Sequence, residues 1–401
     1  MDEQDCTMLA EAMQRRVAKV STAFHRTLFR DIDWGDRLVC IKGPRGVGKT
    51  TILLQRIKEA FKGSPKAFYV SLDNLFFARH TLREVADWHW KNGGTHLFVD
   101  EVHHLPDWQT EIKNVYDDYP DLNIVYTGSS MLRIDRSQGD LSRRQMVYRL
   151  EGLSFREYLA FEGIAEFPRQ TLDDVMKRHV EIASDICAKT KILPSFRNYL
   201  RTGYYPFYKE TKRGFGFRLR EMADQVLEVD YPAIEQISVQ TIRKARRMLM
   251  VLASSCPQTP NMSRLYAELE TDRNNGLKML NALADAGLLR LLSSESKKLK
   301  TLSRPDKIYC DNTNLMFALH PETAAGTVRE TFFLNQISAA HDVTYPASGD
   351  FLVDGRFLFE VGGPGKGFGQ IRDIPDSRLA IDDTEIGFGN RIPLWLFGFL
   401  G

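Results

Sequence analysis

Residues 43–51 read Gly43-Pro44-Arg45-Gly46-Val47-Gly48-Lys49-Thr50-Thr51 and follow the apolar run 38–41 directly. The stretch matches the pattern G-x-x-x-x-G-K-[ST] of a phosphate-binding P-loop, in which a glycine-rich turn joins a strand to a helix. Glycines allow successive backbone N–H groups to face a phosphate, and the N-terminus of the next helix adds partial positive charge. The stretch therefore predicts a nucleotide-binding loop.

Two side chains of this loop have expected roles. Lys49 would neutralise the β- and γ-phosphates, and the Thr50 hydroxyl would ligate Mg²⁺. Farther along, the buried-strand run 95–99 ends in Asp100-Glu101. Asp100 would hold the Mg²⁺, and Glu101 would polarise the water that attacks the γ-phosphate. A solvated acidic turn is the alternative for this pair alone, but its spacing from the P-loop favours binding and hydrolysis of ATP with Mg²⁺.

A third strand, 122–126, leads into Thr127-Gly128-Ser129-Ser130. Ser129 or Ser130 would then lie near the γ-phosphate, at the sensor position of AAA-type ATPases. The run Asp140-Leu141-Ser142-Arg143-Arg144 precedes a further strand, where an arginine commonly acts as a finger on a neighbouring subunit's nucleotide. Arg144 is the first candidate and Arg143 the second, and either would imply a homo-oligomer. A surface basic pair at a helix C-terminus is the alternative.

The chain resembles a group of prokaryotic AAA-superfamily ATPases that carry a C-terminal domain of unknown function. The resemblance rests on six stretches, at 43–51, 100–103, 126–130, 153–158, 203–207 and 307–315, and on Phe359-Glu360-Val361-Gly362-Gly363. It implies an AAA-type P-loop sheet with a helical lid, and ATP with Mg²⁺ as cofactors. Many relatives have glycine-arginine in place of Arg143-Arg144, so the resemblance assigns the usual arginine to Arg144.

Composition is that of an ordinary globular protein. Of 401 residues, 43% are apolar and 26% are charged, and the formal net charge is +2. So small a net charge gives no general preference for nucleic acid. The five cysteines are scattered without metal-ligand spacing, which predicts reduced thiols and a cytoplasmic protein. No apolar run is long enough for a membrane span, so we expect no membrane partner.

The predicted fold class is α/β, with five segments. An N-terminal helix covers 1–31. Strand and helix patterns alternate over 32–152, which predicts a parallel sheet covered on both faces. Residues 153–235 have a helical pattern and would form the lid. An arginine from this lid could reach the nucleotide, and Arg156, Arg197 and Arg201 are equal candidates.

Residues 236–318 predict a winged helix. Helices are expected at 243–253 and 263–270, and Thr271 would cap a third helix that ends at Gly287. A strand at 288–292, a lysine-bearing turn with Lys297, Lys298 and Lys300, and a return strand would follow. If the module binds duplex DNA, the start of the third helix would face the groove, with Arg273, Asn274, Asn275 and Lys278. Binding to protein is the alternative.

The last segment, 319–401, predicts a small α/β domain that is similar to PD-(D/E)XK nucleases. A hairpin turning at Asp354-Gly355 would place Asp350 and Glu360 on neighbouring strands, as two oxygen ligands for Mg²⁺. Glu330 is a further possible ligand. The lysine that such enzymes need falls on Gly362, and the nearest lysine is Lys366. This favours a nuclease-like fold with lost or altered chemistry.

His103 and His104 follow Glu101 and could suggest a metal site. No third ligand has a suitable spacing, so we expect the two histidines to have a packing role in a loop. The favoured function is an ATP hydrolase that is coupled to DNA or protein through the winged helix. The alternatives are a nucleotide-gated binding switch with little turnover and an ATPase that controls a C-terminal nuclease.

Overall fold

The computed structural model describes residues 3–131, 141, 143–211, 213–234, 237–255, 261–298 and 304–401. The chain divides into two compact units. Unit 1 contains Met1–Glu151 and Glu228–Gln236, and unit 2 contains Gly152–Leu227 and Ile237–Gly401. The chain therefore leaves unit 1 after Glu151 and returns to it for one short segment.

Sixteen α-helices and twelve strands run through the described ranges. The helices are α1 Glu3–Lys19, α2 Thr27–Asp31, α3 Lys49–Phe61, α4 Leu82–Lys91, α5 Trp108–Asp118, α6 Phe155–Phe161, α7 Leu172–Cys187, α8 Ile192–Asn198, α9 Phe215–Gln225, α10 Tyr231–Ile234, α11 Val239–Ser255, α12 Met262–Glu268, α13 Arg273–Asp285, α14 Glu295–Lys298, α15 Thr313–Leu319 and α16 Ala325–Ile337. The strands are β1 Leu38–Gly43, β2 Ala67–Ser71, β3 His96–Asp100, β4 Asn123–Ser129, β5 Met146–Arg149, β6 Leu289–Leu292, β7 Lys307–Cys310, β8 Val343–Thr344, β9 Phe351–Val353, β10 Phe357–Gly362, β11 Ser377–Ile381 and β12 Arg391–Pro393.

Unit 1 is built on a five-stranded parallel sheet in the order β2-β3-β4-β1-β5. Strands β1 to β4 are almost wholly buried because helices cover both faces, as a parallel sheet requires. The order places β1 between β4 and β5, so the P-loop after β1 lies beside the end of β4. The predicted parallel α/β sheet is confirmed, whereas the predicted domain bounds 32–152 stay a prediction.

Unit 2 holds two further sheets. Strands β6 and β7 pair antiparallel, and β8 to β12 form a mixed sheet in the order β12-β11-β10-β9-β8. The predicted hairpin is present: β9 and β10 pair antiparallel around Asp354 and Gly355. Three residues separate the paired Val353 and Phe357, and the first two, Asp354 and Gly355, have positive φ, +52° and +66°, a region that glycine adopts readily.

The predicted three-helix segment appears as α11, α12 and α13, followed by β6 and β7. One detail of the prediction is wrong: Asp272, not Thr271, caps α13. The Asp272 carboxylate accepts hydrogen bonds from the backbone N–H groups of Asn274 and Asn275, which the Thr271 side chain does not do. Lys300 of the predicted turn lies outside the described residues.

The predicted boundaries of lid, winged helix and C-terminal segment stay predictions. Unit 2 contains most of all three, whereas Glu228–Gln236 belongs to unit 1. Aromatic packing within unit 2 joins the start of the predicted lid to the end of the chain, since Phe155 meets Phe399 at 5.9 Å between ring centroids. Among the described residues, no helix combines the length and the apolar character that crossing a membrane requires.

Candidate nucleotide site

The P-loop has the backbone that its glycines permit. Gly46 and Gly48 have φ values of +81° and +101°, a region that other residues rarely adopt. Gly43 ends β1 where the chain passes Leu150, and a Cβ there would lie 2.1 Å from the Leu150 carbonyl oxygen. Lys49 begins α3, is buried, and its Nζ donates to the carbonyl oxygens of Gly43 and Pro44, at 3.0 Å each.

Two arginine side chains connect the P-loop to residues outside the motif. Arg26 is buried and donates to the Val47 carbonyl at 2.9 Å and to the Glu151 carbonyl at 2.8 Å. Arg45 makes an ion pair of 2.8 Å with Asp230, which lies in the returning segment of unit 1. Thr51, the last residue of the motif, is exposed on α3. No sequence pattern indicated Arg26 or Asp230, because each lies outside the motif and is separated from it along the chain.

Asp100 links the two predicted nucleotide motifs. Its Oδ2 accepts hydrogen bonds from the Thr50 hydroxyl at 2.7 Å and from the Tyr69 hydroxyl at 2.8 Å. Its Oδ1 accepts one from the Thr127 hydroxyl. Thr127 in turn accepts from the backbone N–H of Glu101 at 3.1 Å. Thr50 and Asp100, the two predicted metal ligands, are therefore in direct contact.

Tyr69 and Thr127 were missed as site residues. Tyr69 lies in β2 and receives a hydrogen bond from Arg16 Nη1 at 3.0 Å. Burial first, and the Asp100 charge next, raise the pKa of Tyr69 far above its ordinary value, so the phenol stays protonated and donates. A signal for Thr127 did exist, since it directly precedes the serines proposed as sensors at the end of β4.

Glu101 begins the turn after β3 with φ of +54°, which is unusual for a residue with a side chain. His103 Nδ1 lies 3.4 Å from Glu101 Oε2, and His103 Nε2 lies 3.5 Å from Asp230 Oδ1. Burial opposes ionisation of Asp230, yet its pKa is lowered, first by the polar contact and charge of His103 and then by Arg45 and Lys49. Glu101, His103, Asp230 and Arg45 thus form a row of charged and polar groups beside the P-loop.

The residues predicted as sensor and finger are less closely tied to this centre. Ser129 is the register partner of Gly43, and its hydroxyl accepts from the Met131 N–H at 3.3 Å. The Ser130 hydroxyl is buried and makes no hydrogen bond within the described part of the chain. Arg144 pairs with Asp117 at the end of α5, and Arg143 is exposed. Asp140 and Ser142 of the same motif lie outside the described residues.

The three arginines considered for the lid are each engaged within unit 2. Arg156 donates to the Gly401 carbonyl at 2.7 and 2.9 Å. Arg197 pairs with Asp383 at 3.0 Å, and Arg201 lies over the Phe317 ring at 5.1 Å. The contacts of unit 2 therefore select none of the three for the nucleotide.

The proposed DNA-reading surface of unit 2 is exposed. Arg273, Asn274, Asn275 and Lys278 are all exposed at the start of α13. Gly276 lets α13 approach α12 closely, because a Cβ there would lie 2.4 Å from the Tyr266 ring. Lys297 pairs with Asp306, so part of the charge expected on the wing is already neutralised.

A charged cluster also occupies the C-terminal sheet of unit 2. Lys307 Nζ lies 3.2 Å from Glu330 and 3.5 Å from Asp350, and burial together with Asp350 raises the pKa of Glu330. Glu360 is buried, and its Oε1 pairs with Lys366 Nζ at 2.7 Å. The Lys366 side chain lies against position 362, where the nuclease pattern has a lysine. A Cβ on Gly362 would lie 2.6 Å from that side chain.

The nucleotide site fits ATP with Mg²⁺. Backbone N–H groups of a glycine-rich turn, a buried lysine and a helix N-terminus are the donors that phosphates require. A threonine hydroxyl beside a carboxylate is the oxygen set that Mg²⁺ prefers. The lysine is held by loop carbonyls that a phosphate would replace as its partner.

Family models match two separate segments of the chain. Residues 35–159 match the model of a family described as an AAA domain, and residues 193–325 match that of a domain of unknown function. No curated protein matches the chain.

Matches among solved structures are distant. AMPPCP-bound DnaA from Aquifex aeolicus is 14% identical and covers 71% of this chain and 89% of that chain, with a TM-score of 0.27. A structure of katanin self-assembly is 18% identical over 34% of this chain, with a TM-score of 0.25, and this chain spans 48% of that chain. The P-loop motifs and the five-stranded parallel sheet agree with the match of residues 35–159 to an AAA domain.

Proposed function

We propose that this protein binds ATP with Mg²⁺ and hydrolyses it. The observation that carries the proposal is the contact of Thr50 with Asp100, because it joins the P-loop to the acidic strand end where a metal-bound triphosphate is held. Mg²⁺ would screen the charge of the phosphates when bound. Thr50 and Asp100 would hold the ion, and Lys49 would exchange its loop carbonyls for phosphate oxygens.

Glu101 is the residue proposed to orient the attacking water. Its carboxylate is partly exposed, in contrast to the buried Asp100, and Thr127 fixes its backbone N–H. Residues 43–51 would surround the phosphates through their backbone. Ser129, or Ser130 with its unpartnered hydroxyl, would report the presence of the γ-phosphate.

The test is steady-state ATP hydrolysis by the full chain, with nucleotide binding measured in parallel. Lys49→Ala should abolish binding, whereas Glu101→Gln should bind ATP and fail to turn it over. Unchanged ATP affinity in Lys49→Ala would remove the P-loop assignment. Tight binding without turnover in the wild type would favour the nucleotide-gated switch over the hydrolase.

Arg144 is proposed as a finger that acts on a second copy of the chain. In one subunit it pairs with Asp117, a contact that it would exchange for the neighbour's phosphate. A mixture of Arg144→Ala and Lys49→Ala proteins should then regain part of the hydrolysis. At some interfaces the Arg144→Ala subunit binds ATP with its intact Lys49, and the Lys49→Ala subunit supplies an intact Arg144. If mixed oligomers form and show no rescue, Arg144 does not act in trans.

For unit 2, the exposed start of α13 supports a winged helix that contacts duplex DNA. Arg273 and Lys278 carry the positive charge of that surface, and phosphate contacts make binding sensitive to salt. Fluorescence anisotropy with labelled duplex DNA should show weaker binding and a shallower salt slope for the double variant Arg273→Ala, Lys278→Ala. Equal binding by variant and wild type would leave a protein partner as the better explanation.

A second candidate function is a nuclease in the C-terminal sheet, controlled by the ATPase. It is favoured by Glu360, whose buried Oε2 has no hydrogen-bond partner among the described residues while Lys366 holds the other oxygen. Asp350 and Glu360 would hold a divalent metal that activates water against a phosphodiester. Metal-dependent nicking of supercoiled plasmid should be lost in Asp350→Ala and Lys366→Met but kept in Asp373→Asn, an exposed carboxylate of the same unit.

A further inference from the structure

The turn after β3 brings three potential metal ligands together. The short helical turn Val102–His104 curls back on Glu101, so ligand atoms of Glu101, His103 and His104 all lie within 4.8 Å of one another. The expectation that no third ligand has a suitable spacing left out Glu101, whose carboxylate lies within this distance of both histidines.

His103 is the most constrained member of this group. Its side chain is 1% exposed, and neither ring nitrogen makes a hydrogen bond of acceptable geometry within the described chain. Its two nitrogens instead face two carboxylates, Glu101 at 3.4 Å and Asp230 at 3.5 Å. A buried polar group without a hydrogen bond destabilises the folded protein, so we expect the ring nitrogens of His103 to have a binding partner.

The two nitrogens of His103 cannot both donate to the carboxylates that they face. A neutral imidazole has one N–H, and only one of the two carboxylates can receive it. If Nε2–H points at Asp230, the lone pair of Nδ1 faces the negatively charged Glu101, which is repulsive. A cation held between Nδ1 and Glu101 would remove that repulsion.

His104 adds a second imidazole to this group, because one of its ring nitrogens lies within 4.8 Å of the ligand atoms of Glu101 and His103. Two zinc ligands, each about 2.0–2.1 Å from a tetrahedral ion, lie about 3.4 Å apart. The 3.4 Å between His103 Nδ1 and Glu101 Oε2 matches that separation.

We propose that Glu101, His103 and His104 bind a divalent transition-metal ion of the zinc class, and that this ion inhibits ATP hydrolysis by occupying Glu101. Two imidazole nitrogens and one carboxylate oxygen suit such an ion, whereas Mg²⁺ prefers oxygen ligands alone. Asp230 would orient His103 by accepting its other N–H, the usual arrangement around ligating histidines. The inhibitory part rests on the proposed function, whereas the binding part does not.

The binding part is tested by titrating the full chain with Co²⁺, which reports its coordination through visible absorption. We expect one tight site with the bands of a low-coordinate ion, and at least about tenfold weaker binding in His104→Ala and in His104→Gln. His341→Ala is the matched control, because it removes a histidine that pairs with a carboxylate, Asp354, outside this turn. Equal Co²⁺ binding by wild type and both His104 variants would overturn the site.

The inhibitory part is tested with buffered Zn²⁺ in the presence of Mg²⁺ and ATP. Zn²⁺ should inhibit the wild type and His341→Ala alike, whereas His104→Ala should keep its basal turnover and resist. If ATP turnover persists while Zn²⁺ is bound, the inhibitory part of the proposal is wrong and the binding part stands. An inactive wild type that still binds Co²⁺ would instead count against the proposed function, so the two failures can be told apart.

Discussion

Replacing Thr127 by valine is the most informative single change in the nucleotide site. Thr127 is fully buried, and valine keeps its shape. The change removes the hydroxyl that donates to Asp100 and accepts from the Glu101 N–H. Loss of a hydrogen bond to a charged group costs about 1.5–3 kcal/mol, and an orphaned buried N–H costs about 1–3 kcal/mol. Asp100 keeps the Thr50 and Tyr69 donors, so we expect about 2–4 kcal/mol of lost unfolding free energy.

The same change should slow catalysis, because the Thr127 hydroxyl helps hold Glu101 in its left-handed backbone conformation. A loss of 1.36 kcal/mol at the transition state lowers kcat about tenfold. We therefore expect kcat to fall about tenfold or more, with a smaller change in ATP affinity. Urea unfolding and steady-state hydrolysis measure the two effects.

Thr127→Ser is the matched control, because it keeps the hydroxyl and loses only a methyl group. It should lose about 1 kcal/mol of stability and turn over ATP at nearly the wild-type rate. If Thr127→Val is folded and hydrolyses ATP as fast as Thr127→Ser, the hydroxyl does not position Glu101 and the reasoning fails.

Two further predictions concern the P-loop and the C-terminal sheet. Gly43→Ala should lower the unfolding free energy by at least about 1–3 kcal/mol, since its Cβ would overlap the Leu150 carbonyl; Gly216→Ala, at an open position in α9, should leave stability unchanged or slightly raised, and equal urea midpoints would contradict this. The pKa of Glu330 is raised in the folded state, so the folded protein binds more protons than the unfolded one above pH 4.5, and stability should fall as pH rises from there to the raised value. Glu330→Gln should flatten that part of the stability profile, and an unchanged slope would show that Glu330 is not its source.

The fold around the P-loop could be predicted because its signals are local. A buried strand, a glycine-rich turn and a helix follow one another at 38–61, and each of them has its own residue pattern. The division into units could not be predicted, because it depends on contacts between distant residues. Asp230 belongs to unit 1 through Arg45 and His103, which lie more than a hundred positions earlier, and no local pattern encodes such a pair.

Motif spacing named Lys49, Thr50, Asp100 and Glu101 as site residues. The structure places Lys49 against the P-loop carbonyls and Thr50 against Asp100, and the roles of all four stay predictions. Tyr69 escaped notice because a tyrosine in a buried strand usually packs, and only the alignment of β2 with β3 brings its hydroxyl to Asp100. Lys366 was named only as the lysine nearest to position 362. Its contact with Glu360 across Gly362 depends on the path of the side chain, which spacing along the sequence does not predict.

The return of Glu228–Gln236 to unit 1 has a consequence for how the protein is made. During synthesis the whole sheet of unit 1 leaves the ribosome before the segment that completes it, with Gly152–Leu227 in between. Until that segment emerges, Arg45 has no Asp230 to pair with, and His103 faces one carboxylate rather than two. A shortened protein ending at Glu151 would retain every recognisable nucleotide motif and still be an unfinished domain. Nucleotide affinities measured on such a fragment would describe a nascent intermediate rather than the native protein.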